Sequence, residues 1–300
     1  MSEDERKQVL GGIDAGGTTF KCALAGLDGK IIARKRVPVN GPDLTIVAVA
    51  AFFRGAMATH HATMTRLGVA SFGPVDIDPA SESYGTILDT PKPGWALCDL
   101  RGRLHAALGV PVHIETDVNG ALLAEMEWGV ARGCASAAYV TVGTGIGAGI
   151  YTGGRLLGHP VHPEFGHIRL QRHPQDAGFP GSCVFHGDCL EGLASAKALQ
   201  DRFGDPGLLP ADHLAWEIEA YYLAQACLAL VLTARVERVI LGGGILLAVG
   251  LIDRVRTAYD KLMNGYVKDR ATAELITTPG LGDDAGLMGG ILLAMRGSEG

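Results

Sequence analysis

Long basic runs, apolar stretches of bilayer length and a dense cysteine framework are all missing from this 300-residue chain, and each absence removes a class of function. Lys and Arg total 26 against 32 Asp and Glu, a formal net charge of −6, with no extended Lys/Arg cluster. Nucleic acid is therefore not an expected partner. No apolar run reaches the roughly 18 residues of a membrane span, and the opening MSEDERKQVL is too charged for a secretion signal, so a soluble cytoplasmic protein without a membrane partner is expected. Of six cysteines, Cys22, Cys98, Cys134 and Cys227 stand alone in apolar or mixed segments, as buried thiols of a reducing compartment do. Two nucleotide-binding signatures are also missing: neither Gly-x4-Gly-Lys-Ser/Thr nor the Gly-x-Gly-x-x-Gly of dinucleotide folds occurs at the glycine-rich start.

Glycine is abundant instead. There are 43, twice the usual ~7%, gathered in GGIDAGGTT, GTGIGAG and LGGGI, where backbone can approach a ligand closely. With 47% hydrophobic residues the chain can fill two cores. Residues 8–37 read as a three-stranded meander with a hairpin signal at Asp28–Gly29. A helix over 43–65, a strand in RLGVASFGP, a proline-bearing loop over 74–98, a helix over 98–108, the strand PVHIET and a helix over 118–130 come next. A second glycine-punctuated hairpin, AAYVTVGTGIGAGIYTGG, makes a weak internal duplication plausible. Helices over 190–203 and 211–234, the strand RVERVILGGG, a helix over 246–264, a strand over 273–277 and a helix from 284 complete the pattern. No low-complexity linker divides it, and loop 74–98 is long enough to suggest a binding surface.

The glycine clusters suit phosphate. A strand delivers Asp14 into a turn at Gly16 and Gly17, followed by the hydroxyls of Thr18 and Thr19. Such a turn offers N–H and O–H groups to phosphate oxygens, and the acid can hold hydrated Mg²⁺. Gly143, Thr144 and Gly145 repeat the device, and Gly242, Gly243 and Gly244 end an apolar strand where a base or ribose can lie. One such loop alone is as well explained by a hairpin. In GSCVFHGDCLEG, Cys183, His186 and Cys189 stand three residues apart, the spacing of a structural Zn²⁺ site; the fourth ligand is open among His159, His162, His167 and His173. Asp117 ends a strand and begins a helix, a position for either a helix cap or a base; Asp89 and Asp99 lack that context.

GGIDAGGT, TDVNGALLAE, TVGTGIGAG, HPEFGH, HGDCLEGLAS, LGGGI and GDDAGLMGG occur in the order seen in the ROK family of sugar kinases, which the chain resembles over about 9–296. TPKPGW, HPEFGHIRL and CVFHGDC point to its fructokinase branch. The resemblance implies an α/β fold of two ribonuclease H-like lobes of the actin/hexokinase ATPase type, with ATP and sugar in the cleft between them. Lobes of 1–116, completed by the C-terminal helix over about 282–300, and of 117–281 with the zinc loop are expected. The resemblance makes Asp117 the catalytic base, selects His167 as fourth zinc ligand, and gives Glu164 and Glu191 the task of accepting sugar hydroxyls. It sets Asn119 on the substrate side, with Gly73, Pro74, Lys92 and Trp95 near the cleft, although Trp95 reads equally as a buried aromatic. His186 stands where the family usually has a cysteine, and Thr19 where it commonly has a lysine; Lys21, two residues on and on the same strand face, is the candidate replacement.

These readings favour an ATP- and Mg²⁺-dependent kinase forming fructose 6-phosphate, with a structural Zn²⁺ and a homodimeric state suggested by the family. Glucose, mannose or N-acetylmannosamine are alternative acceptors. Sugar-responsive repressors of the same family carry a DNA-binding segment ahead of the first glycine loop, where this chain has about ten residues. A zinc-stabilised sugar-binding protein without catalysis is the remaining alternative, and Asp14 with Asp117 argues against it.

Overall fold

Apolar segments cut by glycine turns open the chain as β1 (Lys7–Ala15), β2 (Thr19–Gly26) and β3 (Ile31–Pro38). The computed structural model describes residues 6–90, 92–267 and 270–297, so the charged first five residues and Pro91 of TPKPGW lie outside the described residues. Next come α1 (Pro42–Thr59), β4 (Ala62–Ser71), α2 (Leu100–Leu108), β5 (Val112–Thr116) and α3 (Asp117–Glu127). The remainder comprises β6 (Ala137–Val142), β7 (Ile146–Thr152), β8 (Arg155–Leu156), α4 (Leu190–Ala194), α5 (Ala196–Phe203), α6 (Leu214–Ala234), β9 (Val239–Gly242), α7 (Leu251–Met263), α8 (Thr272–Leu275), β10 (Ile276–Thr277) and α9 (Ala285–Arg296). Two compact units result: Met1–Glu127 with Gly158–His162 and Asp283–Gly300, and Trp128–Leu157 with Pro163–Gly282.

The first unit is built on a sheet of order β3-β2-β1-β4-β5, in which β1, β4 and β5 run parallel. Alternation along β2 sorts its two faces. Phe20, Cys22 and Leu24 join Val49 and Phe53 of α1 in one core, while Ala23 and Ala25 meet Leu287 and Ile291 of α9 on the other side. The second unit repeats the plan, with order β10-β9-β6-β7-β8. In each sheet an antiparallel three-strand meander is followed by two strands parallel to its first member, the duplication at which the two glycine-rich hairpins hint. Val140 and Val142 of β6 pack with Trp216, Leu223 and Leu230 of α6 and Val255 and Tyr259 of α7.

Several boundaries depart from the sequence reading. The helix expected to reach 65 stops at Thr59; His61 takes a φ of 48° and β4 begins at Ala62, because pairing with β1 claims these residues. The helix expected over 190–203 is two, broken at Ser195, whose hydroxyl accepts from the Ala198 N–H at 3.2 Å and starts α5. Gly250, at φ 74°, delays α7 to Leu251, and Thr272–Leu275 is a helical turn, leaving β10 two rungs of ladder with β9. Helices α1 and α6, at 18 and 21 residues with mean hydropathy 1.2, reach membrane length by composition, contrary to the expectation of no such segment. Charges such as Arg54 and Glu219 interrupt their apolar runs, and α6 buries Trp216, Tyr222, Leu223 and Cys227 in its unit's core.

Candidate active site

In the first unit Ala15, Ser71 and Thr116 stand level across the parallel strands β1, β4 and β5. The segments that leave these strands therefore emerge at one sheet edge: Gly16–Gly17, Gly73–Pro74 and Asp117. The carboxyl ends of parallel strands are where α/β sheets bind ligands. Gly73 and Pro74 are exposed, Gly17 and Thr18 are exposed, and the Gly16 N–H donates to the Thr19 carbonyl at 3.1 Å to close the turn.

Asp117 is not the cap of its helix. Thr116 Oγ1 accepts from the Asn119 N–H at 3.2 Å and performs that task, while the Asp117 carboxylate accepts from the adjacent Val118 N–H at 2.9 Å. Burial, reinforced by the negative charge of Asp14, pushes the Asp117 carboxyl up to about 6; the Val118 N–H and Lys92 pull the other way. Asp99, weighed from sequence as an alternative base, caps α2 by accepting from the Gly102 N–H at 2.7 Å, and Asp89 is exposed.

Asp14 faces Lys21 across the β1–β2 ladder. The Lys21 ammonium lies 3.2 Å from Asp14 Oδ2 and 2.7 Å from Asp283 Oδ1, and also donates to the Asp283 carbonyl at 2.6 Å. Burial raises the Asp14 carboxyl above its ordinary value despite that neighbour. Asn119 is buried and donates its side-chain N–H to Glu115 Oε1 at 3.0 Å; the other Glu115 oxygen lies 3.5 Å from His159 Nε2, which the carboxylate keeps above its usual pKa. Trp95, read from sequence equally as a residue near the cleft or a buried aromatic, sits in the core with 2% of its surface exposed, tilted at 38° against Phe20 and edge-on to Phe72 at 5.4 Å. Sequence reasoning missed Glu115, Thr116 and Asp283, and it weighed His159 only as a zinc ligand, not as the partner of Glu115. Only Thr116 left a signal, a Thr three residues ahead of Asn119 at a helix start.

In the second unit Thr141 pairs with Gly242 on the parallel strands β6 and β9, so the loops Gly143–Gly145 and Gly243–Gly244 leave the same sheet edge. Thr144, Gly243 and Gly244 are exposed. Gly145 has a specific reason to lack a side chain: a Cβ there would lie 2.6 Å from Glu191 Oε2, which accepts the Ile146 N–H at 2.9 Å. Glu191 is thereby fixed against the glycine hairpin. Glu164 is exposed, one residue before the 3₁₀ turn Phe165–His167.

That turn and the cysteine loop converge. The donor atoms of His167, Cys183, His186 and Cys189 all lie within 4.8 Å of one another, with His167 Nδ1 at 3.4 Å from Cys189 Sγ and 3.7 Å from Cys183 Sγ, and His186 Nδ1 at 3.7 Å from Cys183 Sγ. Metal–sulfur and metal–nitrogen bonds of about 2.3 and 2.0 Å give tetrahedral edges of roughly 3.4–3.8 Å. The donor set fits Zn²⁺ in kind, and three of its six donor–donor separations match those edges. Arg169 donates to the His186 carbonyl at 3.1 Å and to Asp188, and Asp188 also meets Arg172 at 3.4 Å, bracing the loop from outside. Cys189 is the N-cap residue of α4, so a metal held there also fixes Glu191 two residues on.

Two sheets of one topology, each presenting glycine loops at the carboxyl ends of its parallel strands, define the actin/hexokinase class of ATPase fold. The chain belongs to the ROK family, whose model matches residues 10–296. It is 40% identical over 292 residues to the fructokinase of Zymomonas mobilis, covering 96% of this chain and 97% of that one, and 36% identical over 294 residues to the fructokinase of Streptococcus mutans, covering 96% and 98%. Among solved structures, the ROK hexokinase of Thermus thermophilus aligns with a TM-score of 0.76 and 28% identity over 96% of this chain and 98% of that one.

Proposed function

We propose that the protein is an ATP-dependent hexose kinase that converts fructose to fructose 6-phosphate. The observation that carries this reading is the Asp117 carboxylate: half-buried, released from helix capping by Thr116, raised to about 6 and set level with the Gly16–Gly17 turn. A base needs a pKa near working pH and an open lone pair, and Asp117 has both. The near full-length likeness to fructokinases supports the choice of sugar.

In the reaction the sugar hydroxyl oxygen forms a bond to the γ-phosphorus, the bond from that phosphorus to the β–γ bridging oxygen breaks, and ADP leaves with the electron pair. Asp117 accepts the hydroxyl proton. Gly17, Thr18 and Thr19, with Thr144 and Gly145, hold phosphate oxygens by N–H and O–H donation, while the Gly16 and Gly143 N–H groups close their own turns and let the phosphates approach, and Gly242–Gly244 lie against the nucleoside. Mg²⁺, for which Asp14 is the nearby carboxylate, supplies charge neutralisation when bound. Glu164, Glu191 and Asn119 bind sugar hydroxyls, and His167, Cys183, His186 and Cys189 hold a structural Zn²⁺ that keeps Glu191 in place. Gly73 and Pro74 border the substrate. A cytoplasmic homodimer completes the proposal.

The test is ADP release over a panel of hexoses and amino sugars. Fructose is expected to rank first by kcat/KM. Glucose, mannose or N-acetylmannosamine ranking far above it would reassign the sugar and leave the kinase standing, and sugar binding without any ADP release would replace the kinase by a binding protein.

A further inference from the structure

Lys92 belongs to the long loop between β4 and α2, and its charge is placed without an evident use inside the protein. Its stem lies on the first glycine turn: a Cβ on Gly17 would stand 2.8 Å from Lys92 Nζ and 3.2 Å from Cε, so a side chain at residue 17 would evict the lysine. The ammonium sits 3.4 Å above the centre of the Phe72 ring, and Phe72 is backed by the buried edge-on Trp95. An aromatic face holds a cation from behind and leaves its other N–H bonds to point away. Lys21 on the same sheet edge is neutralised by Asp14 and Asp283; Lys92, among the described residues, has no carboxylate within ion-pair distance. Burial draws its pKa down, and only the more distant Asp117 opposes this. A half-buried ammonium without an anion, set over a glycine turn and in the field of a carboxylate base, is built for an anion that arrives from outside.

We infer that Lys92 is a further catalytic residue, whose ammonium group binds the γ-phosphoryl during its transfer from ATP to the sugar oxygen. This rests on the kinase reading above. Lys92 keeps its protons throughout: the hydroxyl proton goes to Asp117, the γ-phosphorus exchanges the bridging oxygen for the sugar oxygen, and the ammonium offsets the charge on the oxygens in flight. The position also explains why Trp95 is in the core. It supports Phe72, which supports Lys92.

The experiment compares ATP and ADP binding by calorimetry for the full-length wild type, Lys92→Met and Lys92→Arg, with melting temperatures taken alongside. A cation that meets the γ-phosphoryl predicts that Lys92→Met loses about tenfold in ATP affinity, keeps ADP affinity within about twofold, and loses about 100-fold in kcat, while Lys92→Arg recovers most of each. A lysine that merely packs on Phe72 would shift ATP and ADP alike, or neither, and either result overturns the inference. Should Lys92→Met fail to fold, acylation of Lys92 in the wild type, followed by mass spectrometry, gives the same answer: protection by ATP but not by ADP supports the role, and equal labelling removes it. A wild type that binds ATP and never phosphorylates a hexose defeats the kinase reading, an outcome separate from unchanged Lys92→Met behaviour in an active enzyme.

Discussion

Lys21 and Asp14 are cross-strand partners, with the ammonium nitrogen 3.2 Å from the Asp14 carboxylate, so the charge two residues beyond Thr19 is spent inside the sheet edge. Asp14 is pushed upward by burial and held down by Lys21. Lys21→Met leaves that carboxylate without its cation and is expected to cost about 1–3 kcal/mol of stability at pH 8, measured by urea unfolding. The loss should shrink at pH 4, because there the unpaired carboxyl takes up a proton. A pH-independent loss would assign the effect to packing.

Asp117→Asn should keep the fold and lower kcat by about 10³-fold, within the range for removing a general base. A variant retaining more than a few per cent of turnover would remove Asp117 from the chemistry.

The same carboxyl sets two pH dependences. Only its ionised form can take the hydroxyl proton, so kcat/KM in the wild type should fall on acidification with an apparent pKa near the value of about 6, and the rate profile over pH 4.5–8 reads this directly. Stability runs the opposite way. Folding raises this pKa above the ordinary 3.8, so the folded state favours the protonated form and loses stability as pH rises from about 4 through 6. Asp117→Asn is therefore expected to stabilise the protein by about 1–2 kcal/mol at pH 8, allowing for the group's partial exposure, and by little at pH 4.

Gly145→Ala would place a methyl 2.6 Å from Glu191 Oε2 and displace the carboxylate from the Ile146 N–H. KM for the sugar should rise about tenfold, with a smaller change in kcat, if Glu191 binds substrate and transition state alike. An unchanged KM would show that Glu191 does not touch the sugar.

Protein purified without added metal should carry about one zinc per chain. Stripping it should lower the melting temperature and weaken sugar binding together, since Cys189 stands at the N-cap position of the helix that carries Glu191. A fully active protein free of metal would refute the assignment of His167, Cys183, His186 and Cys189.

Local pattern was enough to specify the strand–glycine–strand units, the glycine turns that end them and the Cys-x2-His-x2-Cys spacing that the fold gathers with His167. Each of these depends on neighbours a few residues apart, where alternation, φ freedom and ligand spacing act directly. Long-range folding was needed to bring His167, which the family resemblance but not the local spacing singled out among four histidines, to the cysteines, since it arrives from a separate 3₁₀ turn. It also placed Trp95 in the core, and it neutralised Lys21 through Asp283 as well as Asp14 while leaving Lys92, among the described residues, without a carboxylate within ion-pair distance. These relations join segments that sheet pairing and core packing bring together, and the exposure and charge of a side chain depend on what is folded around it, which no short stretch of chain contains.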